Sequence, residues 1–188
     1  MPSRKPKNPI TKIRTGSGDF GTTYFRGQTN FPKTSAEIEY LGSLDIVQSF
    51  LIADLETSYG KFNRFAKLAQ DLVFCLGANF NSPGNEKYKA KVIELTEQLE
   101  EIIPKLIEDN EPLTGFIRTT VKNKEFRQAG AAVRHSEILY LRIGDTDTDQ
   151  GKTLNVLSDF LFALAWMETT VSTPSFTYKV EKENLWEG

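Results

Sequence analysis

A glycine- and hydroxyl-rich stretch at residues 15–23, Thr-Gly-Ser-Gly-Asp-Phe-Gly-Thr-Thr, contains the residue types best suited to chemistry in this sequence. Glycines let successive backbone N–H groups turn toward a single anion, and the Thr and Ser hydroxyls add further donors. Lys33 lies just before the first predicted helix, where its ammonium and the helix N-terminus can both face a phosphate. The pattern indicates an anion site, although an exposed flexible loop has the same composition.

A second phosphate-binding motif is suggested by residues 151–153, Gly-Lys-Thr, but it is incomplete. A P-loop needs a glycine five positions before the Gly-Lys pair, and Thr146 stands there. It also needs a preceding strand, whereas the sequence before it predicts a helix. We therefore interpret these residues as part of an ordinary helix.

A calcium loop is likewise only partly matched. Asp145, Asp147 and Asp149 have the spacing of its first three ligands. The sixth position should be glycine and is Gln150, and the twelfth should be glutamate and is Val156. We interpret the aspartates as an exposed acidic turn.

Composition limits the class of protein. The 188 residues are 39% hydrophobic and 26% charged, which suits one domain with a real core. A net charge of −2 provides no global basic field for nucleic acid, and no apolar run is long enough to span a bilayer. The single cysteine, Cys75, fits a reducing compartment and is interpreted as a small buried hydrophobe. We expect a cytoplasmic protein with no nucleic-acid or membrane partner.

Five segments carry apolar residues at the spacing of amphipathic helices. Residues 34–37, Thr-Ser-Ala-Glu, have the form of a capping box and open the first helix. The fourth helix is predicted from about Asn123 to Gly144 and the fifth from about Lys152 to Thr170. The third has a heptad seam formed by Tyr88, Val92, Leu95, Leu99, Ile102 and Leu106.

No convincing strand pair is visible, so the predicted fold is all-α, a five-helix antiparallel bundle with an N-terminal Gly/Thr-rich loop. The predicted organisation has three parts: a flexible basic arm at 1–14, the bundle at 15–171 and a C-terminal tail at 172–188.

The sequence resembles the trimeric five-helix ATP:cob(I)alamin adenosyltransferases in three separated blocks. That family opens with a stretch like T-K-T-G-D-x-G-T-T, which residues 15–23 match without a gap. Its lysine precedes by twelve residues the aspartate of a block like E-A-Y-G-T-x-D-E-L, as Lys33 precedes Asp45. Its late block L-N-x-L-S-D-x-L-F is closely matched by residues 154–162. The likeness covers about residues 11–170.

The fourth predicted helix departs from the family pattern H-x-x-R-x-x-x-R-R-x-E. With His135 as the anchor, Ile138 and Ile143 replace the first and third arginines, and Asp145 replaces the glutamate. Arg142 is the family arginine that survives. It lies seven residues after His135 and therefore on the same helix face.

The resemblance implies that the 5′-deoxyadenosyl group of ATP is transferred to cob(I)alamin, with Mg²⁺ on the phosphates and triphosphate as the product. It implies a homotrimer with ATP bound between two subunits. The implied ATP-binding residues are Thr15, Gly16, Ser17, Gly18, Thr22, Thr23, Tyr24, Lys33, Arg142, Asp145 and Asn155.

For the corrinoid, the resemblance implies contacts with Phe116, Asp45 and Asp159. Phe116 corresponds to the aromatic residue that excludes the lower ligand of cobalt, so Phe116 and Arg142 are the implied catalytic residues. The family pairs the aspartate at position 45 with the arginine missing at Ile138, which leaves Arg134 as the predicted partner.

Two alternatives stay open at this point. Because two arginines are missing, the chain could be a degenerate relative that binds ATP or corrinoid without catalysing transfer. It could also be a helical interaction protein with no small ligand.

Overall fold

The computed structural model describes residues 18–51, 62–108, 113, 117–144 and 148–170, and the predicted arm at 1–14 and tail at 172–188 lie outside them. All five predicted helices are present, which confirms the helical bundle. In chain order the elements are β1 (Thr22–Phe25), β2 (Gln28–Pro32), α1 (Ala36–Phe50), α2 (Asn63–Asn81), α3 (Glu86–Ile107), α4 (Lys124–Ile143) and α5 (Thr148–Thr170).

The helices form a closed ring in the order α1, α4, α5, α3, α2. Side chains in contact show that α4 runs antiparallel to α1, since Tyr40 packs on Tyr140 and Ser43 bonds to Ser136. Contacts of the same kind show that α1 is antiparallel to α2 and that α4 is antiparallel to α5. Helices α2 and α3 are joined by a turn of four residues and are also antiparallel. In a ring of five helices the neighbours cannot all be antiparallel, so one neighbouring pair is parallel. This pair is α3 and α5.

The heptad seam predicted on α3 faces the core. Its central residues Val92, Leu95 and Leu99 are buried, and Ile102 is partly buried against the same cluster. Cys75 on α2 is also buried, and this burial raises the pKa of its thiol. The interpretation of Cys75 as a small hydrophobe is confirmed. Among the helices in the described ranges, none is both long and apolar enough to cross a membrane.

The sequence-based view that no strand pair exists was wrong. Antiparallel strands β1 and β2 pair Thr22 with Pro32 and Phe25 with Gln28, and a bulge interrupts the register after Thr23. The strands are four and five residues long, too short for an alternating pattern to stand out. Their turn has φ of 47° at Arg26 and 82° at Gly27, as a two-residue type I′ hairpin requires.

Aromatic packing fixes this hairpin to the bundle. The ring of Phe25 is buried between Phe31 and Phe80, with centroid distances of 4.8 and 5.9 Å. Arg26 Nε donates to the carbonyl oxygen of Phe80 at 2.9 Å, and its guanidinium lies 4.4 Å from the Phe80 ring centroid. The hairpin is thereby held at the C-terminal end of α2.

Two helix starts differ from their predictions. The N-cap of α1 is Ser35, whose Oγ accepts from the N–H of Ile38 at 3.3 Å, so the cap lies one residue after the predicted Thr34. Ile38 rather than a glutamate stands three residues after Ser35, so the predicted capping box is not formed. Helix α5 begins at Thr148, four residues before the predicted Lys152. Asp149 therefore lies in the first turn of α5, where it is exposed as predicted, and Asp145 and Asp147 lie outside the described residues.

The Gly-Lys-Thr segment at 151–153 lies inside α5, as the rejection of a P-loop requires. Lys152 pairs with Glu100 on α3 at 2.8 Å, and the hydroxyls of Thr153 and Thr96 lie 2.8 Å apart. These side chains join α5 to α3.

The early start of α5 is explained by Gln150, which is buried. Its Nε2 donates to the hydroxyl of Tyr40 at 2.8 Å, and its Oε1 accepts from Asn79 Nδ2 at 3.3 Å. A single amide thus links the first turn of α5 to α1 and α2.

We expect Gln150→Ala to lower the free energy of unfolding by about 2 kcal/mol, because it removes both hydrogen bonds that the buried Gln150 amide makes, to Tyr40 and to Asn79. The thermal midpoint should fall by about 6 °C. Gln98→Ala, at an exposed position on α3, is the matched control. Equal midpoints for the two variants in a calorimetric scan would contradict the role of Gln150.

Candidate active site

Lys33 folds back over the glycine-rich stretch. Its Nζ donates to the carbonyl oxygen of Gly18 at 2.8 Å, and its backbone N–H donates to Gly21 at 2.9 Å. Gly21 has a φ of +74°, a conformation that glycine adopts without strain. Lys33 therefore contacts this stretch at Gly18 and Gly21, and its role in binding phosphate stays a prediction. Thr15, Gly16 and Ser17 lie outside the described residues.

Gly18 leaves the space that the lysine head occupies. A Cβ atom at position 18 would lie 2.7 Å from Lys33 Nζ and 3.1 Å from its Cε. Any side chain there must displace the ammonium, whose exposed aliphatic stem can move without disturbing the core. The glycine therefore determines where the positive charge lies.

The predicted ATP-binding residues Thr22, Thr23 and Tyr24 lie in β1, and not in the loop that the sequence suggested. Tyr24 is 65% exposed and borders a cleft of about 350 Å³. Arg26 and the segment 81–83 line the other side of this cleft. Strand pairing fixes the backbone of Thr22 and Thr23 beside the glycines, and Tyr24 lies at the bulge that follows them.

Arg142 lies in the last turn of α4, at the end of the bundle that also carries Lys33. The contact of Tyr140 with Tyr40, at 5.4 Å between ring centroids, places the last turns of α4 beside the first turns of α1. Lys33 directly precedes α1. Two cations are therefore carried at one end of the fold.

Asn155 extends this surface onto α5, where it is exposed. Within the described parts of the chain, neither Asn155 nor Arg142 makes a side-chain hydrogen bond, so both are free to bind a ligand. Phe116 and Asp145 lie outside the described residues, and their implied roles stay predictions.

Asp45 and Asp159 are exposed and lie farther along the bundle. The pairing of Asp45 with Arg134 is not formed within the chain, because Arg134 Nε donates to Ser158 Oγ at 2.9 Å. Among the described residues Asp45 has no hydrogen bond or ion pair. Its carboxylate is left facing outward from α1.

Sequence reasoning missed the residues that position this end of the bundle. Arg26 ties the hairpin to α2, and Gln150 ties α5 to α1 and α2. Gly27 after Arg26 was a turn signal, but nothing local marks Gln150 because its partners lie 71 and 110 residues away.

Comparison with known proteins gives consistent matches. The cobalamin adenosyltransferase family model matches residues 13–168. The corrinoid adenosyltransferase of Citrobacter freundii is 26% identical over 168 residues, covering 85% of this chain and 96% of that protein. The corrinoid adenosyltransferase MMAB of Homo sapiens is 29% identical over 177 residues, covering 87% of this chain and 70% of that protein.

The fold is shared with solved structures. One is a variant of a PduO-type ATP:corrinoid adenosyltransferase from Lactobacillus reuteri, complexed with cobalamin and ATP. It has a TM-score of 0.72 and 23% identity, covering 84% of this chain and 96% of that chain. A second variant of the same protein, complexed with ATP, also has a TM-score of 0.72.

Proposed function

The chain belongs to the cobalamin adenosyltransferase family, and from that premise we propose that it transfers the 5′-deoxyadenosyl group of ATP to cob(I)alamin or a related corrinoid. The observation that carries the proposal is the pair of cations, Lys33 over Gly18 and Arg142 on α4, at one end of the bundle. Lys33 lies in a matched family block, and Arg142 is the family arginine kept in the fourth helix, where the match is partial.

The reaction forms a bond between cobalt and the 5′ carbon of ATP, using the electron pair of Co(I). The bond from that carbon to the phosphate oxygen breaks, and triphosphate leaves with the added negative charge. Lys33, Arg142 and the N–H groups of the glycine-rich stretch stabilise this charge as it develops. No side chain has to transfer a proton, so no acid–base pair is needed.

Mg²⁺ is proposed to enter with ATP, bound to its phosphates. In the described ranges, no cluster of three or more His, Cys, Asp or Glu side chains could hold a metal ion. The described residues do not form a metal site of their own, and the role proposed for Lys33 and Arg142 is independent of the metal.

We propose that the chain assembles as a homotrimer through the outer faces of α1 and α4, and that each active site lies between two subunits. Ile46 on α1 is 51% exposed, and Ile138 and Leu141 on α4 are 49% and 64% exposed. The outward carboxylate of Asp45 lies next to Ile46 in α1. Apolar side chains beside an unpaired carboxylate suit a subunit boundary better than a solvated face.

The proposed location is the cytoplasm, where a lone reduced Cys75 is ordinary.

One observation favours a second function, binding of ATP or corrinoid without transfer. Ile138 and Ile143 take the positions of two family arginines, so Arg142 is the one family arginine of α4 left to face the leaving triphosphate. The test mixes the protein anaerobically with ATP and reduced cob(I)alamin and follows the visible spectrum. Appearance of the adenosylcobalamin spectrum supports the transferase, and binding without that spectrum supports the second function.

Lys33→Ala should weaken ATP binding about tenfold, as expected for loss of one charge-assisted contact to phosphate. The thermal midpoint should stay unchanged, because the Lys33 side chain is exposed. Gly18→Ala, which pushes the ammonium aside, should weaken ATP binding in the same direction while keeping the charge. Calorimetric titration with ATP measures both effects. Equal affinity in wild type and Lys33→Ala would remove Lys33 from the phosphate site.

A further inference from the structure

A groove between α4 and α5 lies outside the proposed ATP site. Its volume is about 110 Å³. Small residues on α4 leave it open, and Gly130 packs its backbone near Leu161 of α5. We call it the arginine groove, and define it by the side chains of Phe126, Arg127, Arg134, Ser158 and Phe162.

Two guanidinium groups line one side of the arginine groove. Arg127 and Arg134 are seven residues apart, two turns of α4, so they lie on one face about 10 Å apart. Arg134 Nε has a partner in Ser158 Oγ. Arg127 Nε is shielded from solvent and has no hydrogen-bond partner among the described residues.

A buried donor of this kind needs an acceptor, because leaving it unpaired costs free energy. No acidic side chain lines the described part of the arginine groove. The missing acceptor is therefore expected from a bound anion. Arginine is well suited to phosphate, since its planar fork can hold two oxygens at once.

The aromatic walls add a second requirement. The guanidinium carbon of Arg127 lies 5.9 Å from the ring centroid of Phe162, and the nearly buried ring of Phe126 closes one end. A ligand that fits carries a phosphate attached to an apolar or aromatic group.

The triphosphate of ATP is too far away to be this anion. Fifteen residues of helix separate Arg127 from Arg142, a rise of about 22 Å. A triphosphate held at Arg142 and Lys33 cannot span that length. The other proposed substrate also carries a phosphate, since cobalamin has a phosphodiester in the nucleotide tail below its ring.

We propose that the arginine groove binds the phosphodiester of the corrinoid's nucleotide tail, with Arg127 as its principal donor. This inference rests on the proposed function, because it requires a corrinoid substrate. It makes the chain selective for complete corrinoids over cobinamide, which lacks both the phosphodiester and the nucleotide.

The test compares the anaerobic binding of cob(II)alamin, cob(II)inamide and ATP by the wild type and Arg127→Gln. Cob(II)alamin should bind about tenfold more weakly to Arg127→Gln, with unchanged affinity for cob(II)inamide and ATP. Arg127→Lys, which keeps the charge without the fork, should fall between the two. Arg64→Gln on α2 removes an exposed guanidinium outside the groove and should bind all three ligands like the wild type.

Each other outcome has a distinct meaning. Equal weakening of both corrinoids would overturn the proposal, because the loss would then come from packing rather than from the phosphodiester. Weakening of ATP alone would assign the anion to ATP and also overturn it. Unchanged binding by Arg127→Gln, with wild type active on both corrinoids, removes the groove inference and leaves the proposed function intact. A wild type that binds neither corrinoid removes the proposed function itself.

Discussion

Arg142→Lys should lower the single-turnover rate of adenosylcobalamin formation about a hundredfold at saturating ATP. Arg142 is the family arginine left on α4, and its exposed guanidinium can hold two oxygens of the departing triphosphate. Lysine keeps the charge but presents it as a single point, without the planar fork. Losing one preorganised donor to a developing charge costs about 3 kcal/mol, which corresponds to a factor of about 100 in rate.

The same substitution should leave folding almost unchanged. Arg142 is exposed and contributes little to the core, so the free energy of unfolding should stay within about 0.5 kcal/mol. Arg64→Lys, at an exposed position on α2, is the matched control and should retain the wild-type rate. If Arg142→Lys is as fast as an active wild type, the alignment of α4 with the family pattern is wrong.

The helices could be predicted because their signal is local. On α3, for example, Val92, Leu95 and Leu99 repeat at helical spacing, and their burial confirms the seam. The hairpin was missed because its stability comes from Phe80 on α2, a residue about fifty positions away in the sequence. The start of α5 was misplaced for the same reason, since Gln150 is buried by partners on α1 and α2.

For the site, the sequence was informative where residue type and spacing determine the chemistry. The glycines and Lys33 were assigned to one anion site without any predicted contact between them, and the hydrogen bond from Lys33 Nζ to the carbonyl oxygen of Gly18 brings them together. The arginine groove could not be found in this way, because α4 and α5 create it together. Arg127 and Arg134 have helical spacing, but only packing against Ser158 and Phe162 makes them line one cavity.

The proposed assembly leads to the other large effect. Ile138→Asp should convert the homotrimer to monomers at micromolar concentration and lower turnover at least a hundredfold. A carboxylate at position 138 would be buried without a partner at the subunit boundary, near the carboxylate of Asp45. An uncompensated buried charge costs about 3–5 kcal/mol, enough to weaken association by two or more orders of magnitude.

Turnover is expected to fall with assembly because each site is proposed to need two subunits. Phe74→Asp is the matched control, since Phe74 is 66% exposed on α2, away from the α1 and α4 faces. Light scattering should show a trimer for this control and for Ile138→Arg, whose guanidinium can pair with Asp45. A trimeric Ile138→Asp, or a monomeric Phe74→Asp, would place the subunit boundary elsewhere. Loss of the trimer with full activity would show that one chain holds the complete site.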